Sequence, residues 1–192
     1  FAEIKNIFYW RNITMKMFKK IMAVALTAVM AVSMLTGCAF TDKLKNDHVL
    51  DAMSDVASTY AKRDETSTVD TVKFESKTSL NTELKNLLKD AKAEDVEKYE
   101  NGKVVTVNDN KYIVTAVEIE KSTSSVSEFK NYAMEILAGL NQSESNVEAK
   151  AELSNNGKTA TFKAGVKVDG FKTADSKTVY YAVVLVEAVA KV

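Results

Sequence analysis

The sequence contains one cysteine, one histidine and no proline. A single cysteine excludes a fold held by internal disulfide bonds, so a folded domain has to rely on its hydrophobic core. A single histidine, His48, excludes the usual multi-histidine metal sites and leaves any Ser-His-Asp device dependent on that one ring. Without proline, the turns have to use Asn, Asp and the six glycines of the chain.

An excess of charge of one sign is also lacking. Over 192 residues, 26 Lys and Arg balance 26 Asp and Glu. From Cys38 onward, 21 Lys and Arg stand against 25 Asp and Glu, which gives a net charge of −4. No basic stripe is available to neutralise phosphates, and aromatic residues do not alternate with basic ones. Nucleic acid is therefore not expected as a partner.

An uncharged apolar run, IMAVALTAVMAVSML, occupies residues 21–35 and follows the basic segment MKMFKK at 15–20. As a helix this run would rise ~22 Å, whereas the hydrocarbon core of a bilayer is ~30 Å thick. The run is therefore short for a stable membrane span and typical of the central part of a signal peptide. The positive charge before it favours an N-terminus on the cytoplasmic side.

Leu35, Thr36, Gly37 and Cys38 follow directly. These residues resemble the lipobox of bacterial lipoproteins, in which a Leu and two small residues precede a Cys. The resemblance implies that the Cys38 thiol receives diacylglycerol and that the signal peptide is cut before it. Acyl chains such as palmitate would then hold the chain on the extracytoplasmic face of the cell membrane. The alternative is a transmembrane anchor that happens to end in Gly-Cys.

The lipobox resemblance divides the chain into three parts. Residues 1–14 contain the only tryptophan and are interpreted as a leader ahead of a true start at Met15 or Met17, with a cytoplasmic extension as the alternative. Residues 15–37 form the predicted signal peptide. Residues 38–192 form a single extracytoplasmic domain, long enough to enclose a hydrophobic core.

Periodicity after Cys38 predicts an α+β domain of order α-β-α-β-β-α-β-β-β, with an antiparallel sheet and helices packed on one face. Helices are expected at 42–62, at 81–91 with Asn81 as N-cap, and after the Ser125-x-x-Glu128 capping box. Strands are expected at 69–76, 104–107, 112–119 and 178–190. An alternative on element order alone is the cone-shaped α+β fold of the nuclear-transport-factor-like superfamily.

A further hairpin is expected at Asn156-Gly157, a strong two-residue turn signal. Counting back from this turn places apolar residues opposite apolar residues on one face. The four pairs are Leu153 with Ala160, Ala151 with Phe162, Ala149 with Ala164 and Val147 with Val166. A slip of one residue would disrupt this pattern, so the register is well specified.

The last predicted strand contains an unbroken apolar run, YYAVVLV at 180–186. Both sides of such a strand need cover, which predicts a place in the middle of the sheet. Glu187 follows the run. A carboxylate there is either buried with a raised pKa or close enough to the strand end to reach water, and the second interpretation is favoured.

Few other residues suggest chemistry. His48 is followed by Asp51 and Asp55 on the same predicted helix, where an imidazole and carboxylates could hold a divalent cation. The spacing is also that of any solvated helix face, and this interpretation is favoured. Phe171 lies in a predicted loop and is either an exposed contact residue or a plug that folds back on the sheet edge.

The remaining acidic residues, including Glu94-Asp95 and the Glu118-Ile119-Glu120 segment, occupy positions that are expected to face solvent. The sequence therefore predicts no catalytic residue, no cofactor and no metal site. The expected function is a non-catalytic binding or scaffolding module anchored to the membrane through Cys38, with an unknown protein or small-molecule partner. The alternative is a carboxylate-dependent hydrolase that acts on cell-envelope material and needs two acids in one cleft. A solute-binding transporter component ranks last, since such proteins usually have two lobes.

Overall fold

The computed structural model describes residues 42–142 and 146–190, with side chains over 44–141 and 146–190. The predicted signal peptide and the lipobox residues Leu35, Thr36, Gly37 and Cys38 lie outside the described residues. Statements about the structure below refer to the described ranges.

Four helices and seven strands make up the described residues. The helices are α1 (Asp42–Arg63), α2 (Thr78–Leu87), α3 (Ala93–Glu97) and α4 (Val126–Gln142). The strands are β1 (Thr71–Ser76), β2 (Lys103–Val107), β3 (Asn110–Ile119), β4 (Val147–Ala149), β5 (Ala151–Ser154), β6 (Thr159–Lys172) and β7 (Thr178–Ala190). The α+β class and the predicted order are confirmed, with α3 as an added short helix and with β4 and β5 in place of one predicted strand.

The main path of the sheet has the order β1-β6-β7-β3-β2, while β5 pairs with β6 and β4 with β7. Every pairing is antiparallel except that of β1 with β6, which is parallel. The sheet is thus mixed, where the sequence predicted an antiparallel one. A parallel pair needs a long crossover, and the chain between β1 and β6 supplies it. Phe74 stacks on Phe162 across this pair, with ring centroids 5.0 Å apart.

Helices cover both faces of the sheet, where the sequence predicted cover on one. Successive residues of β7 point to opposite faces, and its residues 181–186 are all buried. Val184 and its alternate neighbours pack under α1 and α4, and Val183 and Leu185 pack under α2 and α3. The predicted middle position of β7 is confirmed, and its two-sided apolar run is the physical reason for the second helical layer.

The apolar faces predicted for the first and third helices are confirmed. Six residues of α1 are buried at helical spacing: Val49, Leu50, Met53, Val56, Ala57 and Tyr60. In α4 the buried stripe comprises Phe129, Ala133, Ile136, Leu137 and Leu140. The capping box is formed as well, because Ser125 Oγ accepts from Glu128 N–H at 3.3 Å and Glu128 Oε2 accepts from Ser125 N–H at 2.9 Å.

The hairpin at Asn156-Gly157 is confirmed in its inner half only. Leu153 pairs with Ala160 and Ala151 with Phe162, as predicted. The two outer predicted pairs are not formed, because β7 takes the place beside β6 through the pairs Ala164 with Val186 and Val166 with Val184. Beyond Lys150 the chain pairs with β7 instead, which places Ala149 opposite Ala188 and Val147 opposite Ala190.

Candidate functional site: an acidic cleft at the open edge of the sheet

The candidate site lies where β3 runs past the end of its neighbour β2. The two strands pair only from Lys103 opposite Val114 to Val107 opposite Asn110, so residues 115–119 of β3 form the sheet edge. This edge, α4 and the turn before β2 enclose a cleft of about 320 Å³. We call it the acidic cleft, and its lining residues are Glu100, Asn101, Ala116, Val117, Glu118, Glu135, Ala138 and Gly139.

Three carboxylates surround the acidic cleft from three different elements. Glu100 lies in the turn between α3 and β2, Glu118 on β3 and Glu135 on α4. Glu118 shares the sheet face of Ala116, which packs with α2 and α3, whereas α4 covers the opposite face. Glu118 and Glu135 therefore flank the sheet edge from opposite sides. All three side chains are exposed.

Two glycines let these elements approach closely. Gly102 has a φ of +71°, and a Cβ there would overlap the carbonyl oxygen of Gly139. A Cβ at Gly139 would overlap the hydroxyl of Thr115 and lie 3.1 Å from the carbonyl oxygen of Glu100. The Thr115 hydroxyl is buried and has no hydrogen-bond partner within the described residues. Backbone contact at these glycines thus holds Glu100 close to α4.

Within the described residues, the charged groups that shift the pKa of Glu100 in the acidic cleft are all carboxylates. Partial burial raises the pKa of the Glu100 carboxyl, and the carboxylates of Glu97, Glu118 and Glu135 raise it further. Tyr181 lies opposite Glu118 in the β3–β7 pair, and several of the same carboxylates act on its phenol. Burial, with a contribution from Glu100 and other carboxylates, raises the pKa of its phenol to about 12.

The main chain at this edge is only partly closed. Ala116 N–H donates to the carbonyl oxygen of Tyr99 at 3.1 Å, and Glu120 N–H donates to the hydroxyl of Tyr132 at 3.4 Å. In an antiparallel ladder, every second residue points both its N–H and its C=O away from a given neighbour. Glu118, midway between Ala116 and Glu120, therefore points its N–H and C=O out of the sheet and into the acidic cleft.

This arrangement suits a cationic group better than a bound metal ion. Within the part of the chain that the structure describes, no three His, Cys, Asp or Glu side chains lie close enough to hold a metal together. Carboxylates on opposite sides of the sheet edge attract a positive charge between them, and the outward N–H and C=O of Glu118 can form a backbone pair.

His48 and Asp55 have structural partners. His48 Nδ1 lies 3.0 Å from the carbonyl oxygen of Ser124, at the N-terminal end of α4. Asp55 forms an ion pair with Lys130 at 3.2 Å. Both contacts tie α1 to α4 or to the loop before it, and the structure does not bring His48, Asp51 and Asp55 together as a cation site.

Glu187 is an ion-pair residue, so the interpretation with a raised pKa is wrong. Lys77 Nζ donates to Glu187 Oε1 at 2.5 Å, and Lys150 Nζ donates to Oε2 at 3.4 Å. The hydrogen bond from Lys77, and then the charges of Lys77 and Lys150, hold the pKa of the Glu187 carboxyl below its usual range. The carboxylate links the chain before α2 to the segment between β4 and β5.

Phe171 is part of the core and not an exposed contact residue. It lies inside β6, where the sequence predicted a loop, and only 5% of it is exposed. Its ring packs edge-on against Tyr181 at a centroid distance of 6.1 Å. The interpretation as an exposed contact residue is therefore wrong, and the alternative is right only in that Phe171 is buried, because it pairs within the sheet opposite Val179 and is not a loop residue that plugs the sheet edge.

The three carboxylates that line the acidic cleft were missed by the sequence analysis. Glu118 was expected only to face solvent, and no motif includes Glu100 or Glu135. They lie on three elements, and only the strand register and the close approach of Gly102 to Gly139 bring them together. One signal was available, since the strand predicted at 112–119 is longer than its hairpin partner at 104–107. That difference leaves part of the longer strand without a partner within the hairpin.

Comparisons with known proteins add no family. No family model, no curated protein and no solved structure matches this chain. The nuclear-transport-factor-like alternative for the fold therefore stays a prediction. No helix in residues 42–142 or 146–190 combines the length and the apolar character that crossing a membrane requires.

Proposed function

We propose that this chain is a lipoprotein of the extracytoplasmic membrane face, and that its α+β domain is a non-catalytic binding module. The single observation that carries the anchor is the apolar run at 21–35 that ends in Leu35-Thr36-Gly37-Cys38. Diacylglycerol on Cys38 would hold the domain on the membrane, because two buried acyl chains anchor a protein stably.

The anchor is tested by processing in a bacterial host. Cys38→Ala removes the thiol that accepts the lipid, so we expect an uncleaved precursor without incorporated palmitate, as measured by mass spectrometry and by labelling. Thr36→Ser keeps a small residue in the motif and serves as the matched control, which we expect to be cut and acylated. Wild-type protein with an unmodified Cys38 thiol or a retained N-terminal segment would contradict the proposal.

The binding role is supported by the acidic cleft, which combines an open stretch of main chain with negative charge. A binding module predicts that no single carboxylate is required for a chemical step. Glu100→Gln, Glu118→Gln and Glu135→Gln should each change the affinity for a partner. None of them should abolish an enzymatic activity.

One observation favours a carboxylate-dependent hydrolase as the second candidate. Glu100 has a raised pKa and shares a cleft with two further carboxylates, as a general acid and its partner would. The two functions are separated by incubating the protein with purified cell-envelope material and measuring released fragments. Turnover that is lost in Glu100→Gln would favour the hydrolase and contradict the binding module.

A further inference from the structure

We infer that the acidic cleft binds an extended segment of a partner protein, which adds to the free edge of β3 and carries a lysine or arginine. This inference rests on the proposed binding role and names its ligand. We argue for a polypeptide because the N–H and C=O of Glu118, which have no partner within the described residues, are main-chain groups that an added strand can pair with.

Among residues 42–142 and 146–190, the stretch of β3 without a strand partner on the side away from β7 is short and is bounded at both ends. The nearest N–H groups that face the same way as that of Glu118 are already bound. Ala116 N–H donates to the carbonyl oxygen of Tyr99, and Glu120 N–H donates to the hydroxyl of Tyr132. An added strand can therefore make about two main-chain hydrogen bonds, one to the N–H and one to the C=O of Glu118. So few bonds give weak affinity by themselves, and the side chains have to supply the rest.

The positions of the carboxylates specify those side chains. Alternate residues of an added strand point to opposite faces of the sheet. One of them would meet Glu118, and its neighbour would meet Glu135 across the edge, with Glu100 at one end of the cleft. A basic side chain at either position would be attracted by these carboxylates and would offset their mutual repulsion.

A second copy of the chain does not fit this description. Pairing two such edges would bring two sets of the same carboxylates together, and like charges across an interface oppose association. The same repulsion excludes an acidic segment. The β3 edge therefore favours a positively charged partner, and its main chain can still pair with an added strand.

The test uses the full-length chain purified in detergent and the synthetic pentapeptide Ac-Val-Lys-Val-Lys-Val-amide. Binding is measured by calorimetry, and the site is located by amide exchange. We expect the peptide to bind and to protect the segment around Glu118. Replacing both lysines by glutamate should abolish binding, and the triple change Glu100→Gln, Glu118→Gln, Glu135→Gln should weaken it about tenfold. The control Glu65→Gln removes an exposed carboxylate from the loop after α1 and should leave affinity unchanged.

Main-chain pairing is tested separately from charge capture. In two further peptides the backbone is N-methylated either at both lysines or at the central valine. Because only alternate residues of an added strand face β3, one of the two peptides should lose binding and the other should keep it. Equal binding of both, binding of the acidic peptide, or no change in the triple variant would overturn the inference.

The proposed anchor is read from the same purified sample by the mass of the Cys38 modification. An unmodified Cys38 thiol together with peptide binding would contradict the lipoprotein and leave the edge site standing. Acylated Cys38 without peptide binding would support the lipoprotein and contradict the edge site.

Discussion

Two strands of the sheet run past the end of their outer neighbour, and the overhanging stretches differ in how their main-chain N–H groups are satisfied. On one side β6 runs past the end of β1, and on the other β3 runs past the end of β2. At the β6 edge three successive outward N–H groups are bound by side-chain oxygens. Val166 N–H donates to Asn81 at 2.9 Å, Val168 N–H to Asn46 at 2.8 Å, and Gly170 N–H to Asp169 at 2.8 Å.

Proteins close exposed edges because an unpaired row of N–H and C=O groups recruits other strands. At the β6 edge the closure comes from two helices and one local carboxylate. At the β3 edge the N–H of Glu118 lies in a cleft lined by acids. The outward N–H groups of β6 are thus bound within the domain, whereas the N–H of Glu118 on β3 stays open to the basic partner that we propose.

The largest expected effect comes from forcing α2 away from the β6 edge. A Cβ at Gly165 would lie 2.5 Å from the carbonyl oxygen of Leu80, which is main chain and cannot rotate away. Gly165→Ala should lower the free energy of unfolding by about 1–3 kcal/mol in chemical denaturation. Gly170→Ala is the control on the same strand, because its Cβ would meet side-chain atoms of Thr178 and Tyr180 that can shift. An equal loss in both variants would show that the backbone contact of α2 does not matter.

The next effect concerns the asparagine that seals the edge. Asn81→Ala leaves Val166 N–H without its acceptor and removes the hydrogen bond from Asn81 Nδ2 to Ser76 Oγ at 2.9 Å. The expected loss is about 1–2 kcal/mol in the free energy of unfolding. Asn86→Ala changes an exposed asparagine on the same helix and should cost less. Equal stabilities of the two variants would contradict the role of Asn81.

How far the sequence predicts these two edges depends on how local each signal is. The capping box at Ser125 and Glu128 and the inner pairs of the Asn156-Gly157 hairpin were predicted correctly, because each depends on residues only a few positions apart. Asn81 was predicted as an N-cap. In the structure α2 begins at Thr78, and the Asn81 side chain accepts a hydrogen bond from β6. Tertiary packing there took precedence over a local capping preference.

The mixed sheet and the candidate site could not be predicted from local patterns, because both depend on residues that are far apart in the sequence. The parallel partner of β1 is nearly ninety positions away, with Thr71 opposite Thr159, and no periodicity encodes such a pairing. Cover on both faces was signalled by the two-sided apolar run of β7, although the predicted packing did not use it. The acids of the cleft come from three elements and could be found only after the register was known.

The smallest effects compare one carboxylate from each edge. The hydrogen bond from Lys163 lowers the pKa of Glu75 on β1, whereas partial burial and neighbouring carboxylates raise the pKa of Glu100 in the acidic cleft. At neutral pH, Glu75→Gln should lower and Glu100→Gln should raise the free energy of unfolding, each by about 0.5 kcal/mol or less because both groups are exposed.

The pH dependence gives the sign of each effect. A lowered folded-state pKa stabilises above the unfolded carboxyl pKa, and this stabilisation is lost as the pH falls through the folded value. A raised folded-state pKa stabilises below the unfolded value, and this stabilisation is lost as the pH rises through the folded value. Denaturation curves of both variants should therefore approach wild type in acid. Effects of the same sign at neutral pH would remove the electrostatic difference between the edges.

The most direct test of the difference between the edges is residue-level amide hydrogen exchange in the free protein, followed by nuclear magnetic resonance. Val166 and Val168 N–H, which are held by Asn81 and Asn46, should exchange slowly. Glu118 N–H, which points into the acidic cleft, should exchange markedly faster than the N–H of its neighbour Val117, which faces β7. Protection of Glu118 equal to that of Val166 would mean that this edge is already closed, and the account of an open acidic edge would be wrong.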